Sequence, residues 1–385
     1  MSAEFIKMVS DVQFERFNVS LLALSQTKAP CGIFFGFHFN AQAIVSNIQY
    51  LIQQGLNVTC VIVLVDAQAK LIKDLMDVSV VTLEDLPKLD KNLKPQNIFI
   101  FSGLKDFAFV PYFTAQGVDS FGQSDVNKFT LMMKHLPELY NVYNMLGSEE
   151  SKKVFCAAIK GRLTAKIGDY RFAPEPQYFL NGFMPCEGDI AIDGGAYDGT
   201  TSLDFAKCGA KVYAFEMDAA NYKNCRARLD VSPSYDITIE NFGLSDKEGE
   251  FTYISGDVGS RKNANGNLTA RFTDLDTYAA RNNISRVDYI KLDIEGAELE
   301  MLHGAAKTIT RCKPKMAVSA YHKPEDLWTL ATYIKSLRAD YEFEFRHYQI
   351  DCTDYMLDDE ERAVIKYFGL SYLLPTSCEL VLYCR

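Results

Sequence analysis

The sequence predicts an α/β fold in which most strands of the main sheet are parallel. Apolar segments of strand length alternate with segments of helical periodicity along most of the 385 residues, which is the pattern of βαβ units. One of them, residues 189–199 (DIAIDGGAYDG), ends in an acid and a glycine turn. Open α/β sheets bind ligands at the carboxyl ends of such strands. The last two strands, 341–346 and 379–383, are predicted to follow one another without a helix, which predicts a terminal antiparallel ribbon.

Residues 1–125 are predicted to form a separate, Rossmann-like α/β domain of unknown role. Its predicted strands are 32–37, 58–65, 78–82 and 97–101, and its predicted helices are 40–54 and 67–76. Strand 58–65 is apolar throughout, as expected of a strand covered on both faces. Gly32 and Gly36 either allow a tight strand-to-helix turn or open a second nucleotide site, and the sequence leaves both explanations open.

Residues 126–180 are predicted to be a helical connector. Segments 128–146 and 151–163 both have helical periodicity, and the sequence GSEE at 147–150 supplies a stop and a new cap. Prolines at 174 and 176 break the pattern. The C-terminal domain is therefore predicted to span residues 181–385.

The C-terminal domain repeats the alternation of strands and helices. Its predicted strands end at 193, 216, 242, 293, 321, 346 and 383, and its predicted helices are 201–207, 219–229, 297–309 and 325–337. A mostly parallel sheet that finishes in an antiparallel ribbon is the usual plan of the class I methyltransferases, whose sheet is Rossmann-like.

Charge and cysteine spacing exclude several kinds of protein. The net charge is −10 with no basic run, which argues against nucleic-acid binding. No apolar stretch reaches the ~20 residues of a membrane helix, and the first residues do not resemble a secretory signal. None of the ten cysteines forms a Cys-x-x-Cys pair, so neither a zinc cluster nor a dithiol site is indicated. Reduced core thiols in a cytoplasmic protein are the expectation.

The glycine turn favours S-adenosylmethionine over a dinucleotide. The dinucleotide fingerprint Gly-x-Gly-x-x-Gly, counted from Gly194, needs a glycine at position 196, where this turn has Ala196. Asp193 directly precedes the glycines, where it would repel a pyrophosphate but attract the ammonium group of a methionine, directly or through water. Glu216 ends the next predicted strand, where a carboxylate can accept both hydroxyls of a ribose. A strand–turn–helix unit that binds no ligand is the alternative.

Several segments resemble the FkbM family of methyltransferases. They are 193–199 (DGGAYDG), 213–216 (YAFE), 241–246 (NFGLSD), 290–300 (IKLDIEGAELE), 321–328 (YHKPEDLW) and 345–348 (FRHY). The resemblance covers roughly residues 150–385, and the segment at 290–300 is the most specific. It implies transfer of a methyl group from S-adenosylmethionine to an oxygen, often a sugar hydroxyl of a polysaccharide or a natural product.

The resemblance implies cofactor-binding roles at the carboxyl ends of the first three strands. Asp193, Gly194, Gly195 and Ala196 are expected at the methionine end, Glu216 at the ribose, Met217 against the adenine, and Asn241 and Phe242 at the adenine edge and face. Gly195 is expected to lack a side chain because the ligand passes close to the backbone. Thr201 or Ser202 would cap the helix or touch the ligand carboxylate. For Phe242 a plain core position is the alternative.

The catalytic residues are expected at the ends of the fourth and fifth strands. Asp293 and Glu295 could orient the acceptor hydroxyl, position the sulfonium or bind a divalent cation, although no residue is assigned as a metal ligand. His322 is expected to be the base that takes the acceptor's proton. Glu298 and Glu300 are expected to be solvated, or near the dipole of their helix. Arg346 would grip an acidic group on the acceptor or pair with a nearby acid.

The sequence therefore predicts an S-adenosylmethionine-dependent O-methyltransferase acting on a small-molecule or saccharide acceptor. Two alternatives stay open: a metal-dependent methyltransferase that uses Asp293 or Glu295 as a ligand, and a non-catalytic cofactor-binding protein. The N-terminal domain would recognise the acceptor or mediate homo-oligomerisation.

Overall fold

The computed structural model describes most of the chain. The described residues are 5, 28–37, 40–53, 55–100, 104–121, 131–132, 134–164, 169–231, 234–254, 260–263, 265–349, 353, 357–371 and 379–385. The cysteines among them are free thiols. None of the described helices is both long and apolar enough to cross a membrane.

Strands and helices are interspersed along the described chain. The strands are β1 (Cys31–Phe35), β2 (Val58–Val63), β3 (Ser79–Thr82), β4 (Asn97–Ile100), β5 (Asp119–Phe121), β6 (Ile190–Gly194), β7 (Lys211–Phe215), β8 (Ile237–Glu240), β9 (Gly243–Leu244), β10 (Gly249–Ile254), β11 (Arg261–Lys262), β12 (Leu268–Thr273), β13 (Tyr289–Leu292), β14 (Lys315–Ser319), β15 (Phe343–His347) and β16 (Leu380–Cys384). The helices are α1 (Ala41–Gln53), α2 (Asp66–Ile72), α3 (Val110–Ala115), α4 (Leu136–Met145), α5 (Glu149–Thr164), α6 (Thr200–Lys207), α7 (Ala219–Asp230), α8 (Leu275–Arg281), α9 (Glu298–Gly304), α10 (Ala306–Cys312), α11 (Asp326–Leu337) and α12 (Asp359–Tyr367).

The chain divides into two units that are each discontinuous in sequence. The first unit comprises Met1–Lys134, Lys153–Phe172 and Gln349–Cys378, and the second comprises the other three segments, His135–Lys152, Ala173–Tyr348 and Glu379–Arg385. The division predicted from the sequence assigned residues 349–378 to the C-terminal domain, whereas they group with the first unit. The roles of the predicted domains stay predictions.

The first unit contains a five-stranded sheet in the order β3-β2-β1-β4-β5, and every pair of neighbours is parallel. Helix α1 buries Ile44, Ile48 and Leu51 in the cluster on one side of this sheet. A second cluster includes Phe109 from the chain before α3 and Ile365 from α12. Strand β5 and helix α3 were not predicted, because both are too short to show a period.

The turn after β1 is closed by protein groups. The backbone N–H groups of Gly36 and Phe37 each donate to the carboxylate of Asp106, at 2.8 Å, and Asp106 is fully buried. These are the groups that a phosphate would need. The described structure therefore favours the tight-turn explanation of Gly36 over a second nucleotide site.

A cavity of about 400 Å³ lies within the first unit, at the ends of β2 and β3. Carboxylates and aromatic rings line it, including Asp66, Glu84, Asp85, Tyr367 and Phe368. The prediction that this part of the chain recognises an acceptor stays open.

The second unit contains a seven-stranded sheet in the order β15-β16-β14-β13-β6-β7-β8. Neighbours from β14 to β8 are parallel, and β16 is antiparallel to both β14 and β15. This confirms the predicted α/β fold of a class I methyltransferase with its C-terminal ribbon. The prediction that no helix separates the last two strands was wrong, because α12 lies between β15 and β16 in the sequence and belongs to the first unit.

A second, smaller sheet interrupts the alternation between β8 and β13. Its order is β11-β10-β12-β9, and Tyr253, Ala270 and Phe272 form its hydrophobic cluster. It was not predicted, because exposed polar residues interrupt β10 and β12, so that neither strand is an apolar run. Met217, which follows β7, packs against it, so this sheet lies beside the predicted adenine site.

The predicted cap before α5 is present. Ser148 Oγ accepts a hydrogen bond from the Ser151 N–H at 3.1 Å, which satisfies one of the free donors of the first helical turn. Part of the preceding predicted helix, 128–146, lies outside the described residues, and α4 covers its C-terminal part.

Candidate active site

The turn between β6 and α6 brings two strands of the sheet together. Gly195 has a φ of +81°, and the N–H groups of Gly195 and Ala196 both donate to the Phe215 carbonyl at 3.0 Å. A Cβ atom on Gly195 would overlap the backbone carbonyl of Asp293. The described structure thus requires glycine here for a reason within the protein, which differs from the expected passage of a ligand.

Asp193 is turned into the protein. Its side chain is fully buried, accepts a hydrogen bond of 2.6 Å from Ser202 Oγ and lies 3.1 Å from Lys291 Nζ. The predicted direct contact with a cofactor ammonium is therefore not supported, because that charge is already neutralised. Ser202, expected to cap α6 or to touch the ligand, holds Asp193 instead.

Lys291 ties this carboxylate to the glycine turn. Its Nζ donates to the Gly194 carbonyl at 3.1 Å and to the Gly195 carbonyl at 2.7 Å. Burial lowers the pKa of Lys291, but Asp193 and Asp293 outweigh burial and raise it above its usual value. The charged Lys291 side chain therefore holds the backbone of the glycine turn in place.

Glu216 lies just after β7 and is 6% exposed. Its two oxygens accept the N–H groups of Tyr197, at 2.9 Å, and Asp218, at 2.8 Å. Burial raises the pKa of Glu216 to about 7, and these two hydrogen bonds offset only part of that rise. Asn241 Nδ2 donates to the backbone carbonyl of Glu216 at 2.8 Å, so the three predicted cofactor-binding loops meet at this residue.

Phe242 and Met217 flank the same end of the sheet. Both side chains are half-buried, and the guanidinium of Arg271 lies 4.6 Å from the centre of the Phe242 ring. Phe242 thus already has a partner on its ring. Its contact with an adenine stays a prediction.

Asp293, Glu295 and His322, the three predicted catalytic residues, lie together. His322 Nε2 is 3.4 Å from Asp293 Oδ1 and 3.5 Å from Glu295 Oε2. Asp293 also accepts hydrogen bonds from the hydroxyls of Tyr178, at 2.9 Å, and Tyr321, at 3.2 Å. The side chain of Asp293 is 22% exposed and that of Glu295 30%, so the group is open to solvent on this side.

Glu298 lies inside the protein. It was expected to be solvated or near the dipole of its helix; it is in the first turn of α9, but its side chain is fully buried, so the expectation of a solvated side chain was wrong. Its Oε1 accepts the N–H groups of Ile294, at 3.0 Å, and Gly296, at 3.3 Å, and lies 2.9 Å from His322 Nδ1. Left-handed conformations at Glu295 and Gly296 reverse the loop and carry Glu298 inward.

Three carboxylates surround His322, the predicted base. Burial lowers its pKa, but Glu298, Asp293 and Glu295 together outweigh burial and raise it to about 9. The acidic neighbours therefore favour the protonated ring, which donates hydrogen bonds. The role of His322 as the base stays a prediction.

Comparison with known proteins identifies the domain that contains this site. The family model described as "Methyltransferase FkbM domain" matches residues 193–348, a range that includes every predicted cofactor-binding and catalytic residue. The chain carries an FkbM-family methyltransferase domain. It is therefore a methyltransferase.

The chain is similar to several solved structures, one of which shares its fold over nearly the whole chain. The methyltransferase FkbM from Methylobacillus flagellatus KT is 17% identical, with a TM-score of 0.65, over 99% of this chain and 98% of that chain. A putative rRNA-methylase from Clostridium thermocellum is 11% identical, with a TM-score of 0.31, over 52% of this chain and 87% of that one. A putative methyltransferase from Streptococcus mutans in complex with SAH is 12% identical, with a TM-score of 0.29, over 52% and 90%. No curated protein matches the chain.

Two residues of the site lie outside the matched FkbM range and were missed. Tyr178 donates to Asp293, and Glu379 accepts from the Tyr321 hydroxyl at 3.2 Å. Burial first and Asp293 second raise the pKa of Glu379 to about 7. No local motif marks either residue.

Two charged residues of the strands, Lys291 and Arg346, pair with acids. A lysine inside the apolar strand 289–292 indicates a buried partner for its charge. Arg346 lies 3.1 Å from both Glu175 and Glu344, which supports pairing with nearby acids over a grip on the acceptor.

Proposed function

We propose that the FkbM domain transfers a methyl group from S-adenosylmethionine to a hydroxyl group, and that the acceptor is a saccharide. The proposal rests on the position of the Glu216 carboxylate beside the glycine turn, near the acidic side chains of Asp293 and Glu295. The Glu216 carboxylate suits the hydroxyls of a ribose. The carboxylates of Asp293 and Glu295 suit a positively charged sulfonium.

Glu216 supports the cofactor part of the proposal. Each of its oxygens accepts one backbone N–H, and a carboxylate oxygen has two lone pairs. One lone pair on each oxygen is therefore left for a ribose hydroxyl.

Asp293 and Glu295 support the acceptor part. Carboxylates accept hydrogen bonds from hydroxyl groups and orient them, and alignment of oxygen, methyl carbon and sulfur provides much of the rate of such a displacement. In the reaction the acceptor oxygen forms a bond to the methyl carbon as the carbon–sulfur bond breaks. The hydroxyl proton passes to a carboxylate, and S-adenosylhomocysteine leaves as a neutral thioether.

The first test is isothermal titration of the full chain with S-adenosylhomocysteine, with NADH as the control ligand. We expect saturable binding of S-adenosylhomocysteine alone. Binding of NADH instead, or of neither ligand, would contradict the proposal. A positive result leads to an acceptor screen that starts with saccharides.

The pH dependence of this binding is a further prediction. Only the ionised Glu216 can accept hydrogen bonds from two hydroxyls. Because its pKa is raised to about 7, its ionised fraction falls as the pH falls. Between pH 8 and pH 6 the dissociation constant for S-adenosylhomocysteine should rise about 10-fold, measured by titration calorimetry.

The Glu216→Gln variant is the control for this prediction. It should bind S-adenosylhomocysteine more weakly at pH 8 and show little dependence on pH over the same interval. An equal pH dependence in the variant would assign the effect to another group.

A further inference from the structure

We propose that Asp293, Glu298 and His322 form a binding site for a divalent first-row metal ion. The inference about its role rests on the proposed methyl transfer to a hydroxyl group, but the site itself is argued from geometry alone.

The spacing of the three side chains fits one ion. A ligand atom from each of Asp293, Glu298 and His322 lies within 4.8 Å of the other two. Metal–ligand bonds of about 2.0–2.3 Å place adjacent ligands about 3 Å apart and opposite ligands about 4.5 Å apart. The separations of the ligand atoms are therefore in the range that one ion requires.

A second observation does not depend on the spacing: buried polar atoms in the cluster lack hydrogen-bond partners of normal geometry among the described residues. The His322 side chain is 9% exposed, yet neither of its ring nitrogens makes a hydrogen bond of normal geometry with a described residue. Glu298 Oε2 is also buried without a hydrogen-bond partner among the described residues. An ion among these atoms would satisfy the oxygen and one ring nitrogen together.

The charge balance favours a cation. Glu295 Oε2 lies 3.5 Å from the His322 ring and adds a third carboxylate to those of Asp293 and Glu298. The buried Lys291 pairs with Asp193 and also interacts with Asp293, so it offsets only part of this charge. A divalent ion would neutralise charge that the imidazole alone leaves in excess.

The donor set indicates the class of metal. One imidazole nitrogen with carboxylate oxygens suits Mn²⁺, Fe²⁺ or Zn²⁺ better than a soft ion that prefers sulfur. Three protein ligands also leave coordination positions free. Because Asp293 is partly exposed, a water or an acceptor hydroxyl can reach those positions.

An ion bound here would displace the proton from the coordinating nitrogen of His322. A hydroxyl bound to such an ion would lose its proton more easily, and that proton would pass to Glu295, the nearby carboxylate that is not a ligand. The oxygen lone pair then forms the bond to the methyl carbon, and the electron pair of the carbon–sulfur bond stays on sulfur.

The test is titration of the metal-free full chain with Mn²⁺, with the free ion followed by electron paramagnetic resonance and neither cofactor nor acceptor present. We expect one Mn²⁺ per chain, with pulsed spectra that show coupling to a histidine nitrogen. Asp293→Asn and Glu298→Gln should each weaken binding by at least about 10-fold.

Glu300→Gln is the matched control, since Glu300 is on the same helix and contacts Ser245 outside the cluster. It should bind Mn²⁺ as the unchanged chain does. Thermal melts of each variant show whether it is folded, and the nitrogen coupling in the unchanged chain needs no variant.

Two outcomes would overturn the proposal: no stoichiometric Mn²⁺ binding, or binding without nitrogen coupling that Asp293→Asn leaves unchanged. These are distinct from failure of the proposed function. A chain that binds S-adenosylhomocysteine but not Mn²⁺ refutes only the metal site. A chain that binds Mn²⁺ but not S-adenosylhomocysteine refutes only the methyl-transfer proposal.

Discussion

Replacement of Gly195 by alanine is expected to destabilise the second unit by about 2–5 kcal/mol. A left-handed conformation at a non-glycine residue costs about 1–2 kcal/mol, and overpacking adds about 1–3 kcal/mol. Both apply because φ is +81° and the new Cβ would overlap the Asp293 carbonyl. Urea denaturation followed by circular dichroism measures the loss, and S-adenosylhomocysteine binding should be lost with it.

Gly188→Ala is the matched control for Gly195→Ala. Gly188 has a φ of +80°, but a Cβ there meets no atom within 4 Å. It should therefore lose only the conformational part, about 1–2 kcal/mol. Equal losses in the two variants would show that the close approach of the Asp293 carbonyl does not constrain the turn.

Lys291→Met is expected to cost about 3–5 kcal/mol, because it leaves the Asp193 carboxylate buried without a counter-ion. The side chains of Lys291 and Asp193 are 3% and 0% exposed. Urea denaturation at neutral pH measures the change. The double variant with Asp193→Asn should recover much of the loss, since it removes the uncompensated charge.

Lys211→Met serves as the control for Lys291→Met. Lys211 pairs with Asp236 at 3.3 Å, but both side chains are largely exposed, and such pairs contribute about 0–1 kcal/mol. If the double variant proves no more stable than Lys291→Met alone, the unpaired charge is not the cause of the loss.

The main sheet and its acids could be predicted because their signals are local. Strands β6, β7, β13 and β14 are short apolar runs, and parallel strands place their carboxyl ends along one edge of the sheet. The proximity of Glu216 to the glycine turn, and of His322 to Asp293, follows from that rule alone.

The direction of individual side chains could not be predicted. Asp193 points inward because Lys291 from the neighbouring strand meets it there. Glu298 is buried because positive φ values at Glu295 and Gly296 reverse the loop. Tyr178 and Glu379 reach Asp293 and Tyr321 from distant parts of the sequence. Each of these depends on tertiary contacts that no local pattern records.

Residues 349–378 belong to the first unit, which limits how the chain can be divided into fragments that fold. Helix α12 contributes Ile365 to the core of that unit, and its Glu361 pairs with Lys105 at 2.7 Å. A fragment cut after residue 125 would thus lack part of its own interior, while a fragment from residue 181 onward would carry α12 with its Ile365 side chain uncovered. Neither unit can therefore be produced alone by dividing the chain at one position. A separate catalytic domain would need a short linker from β15 to β16 in place of residues 349–378.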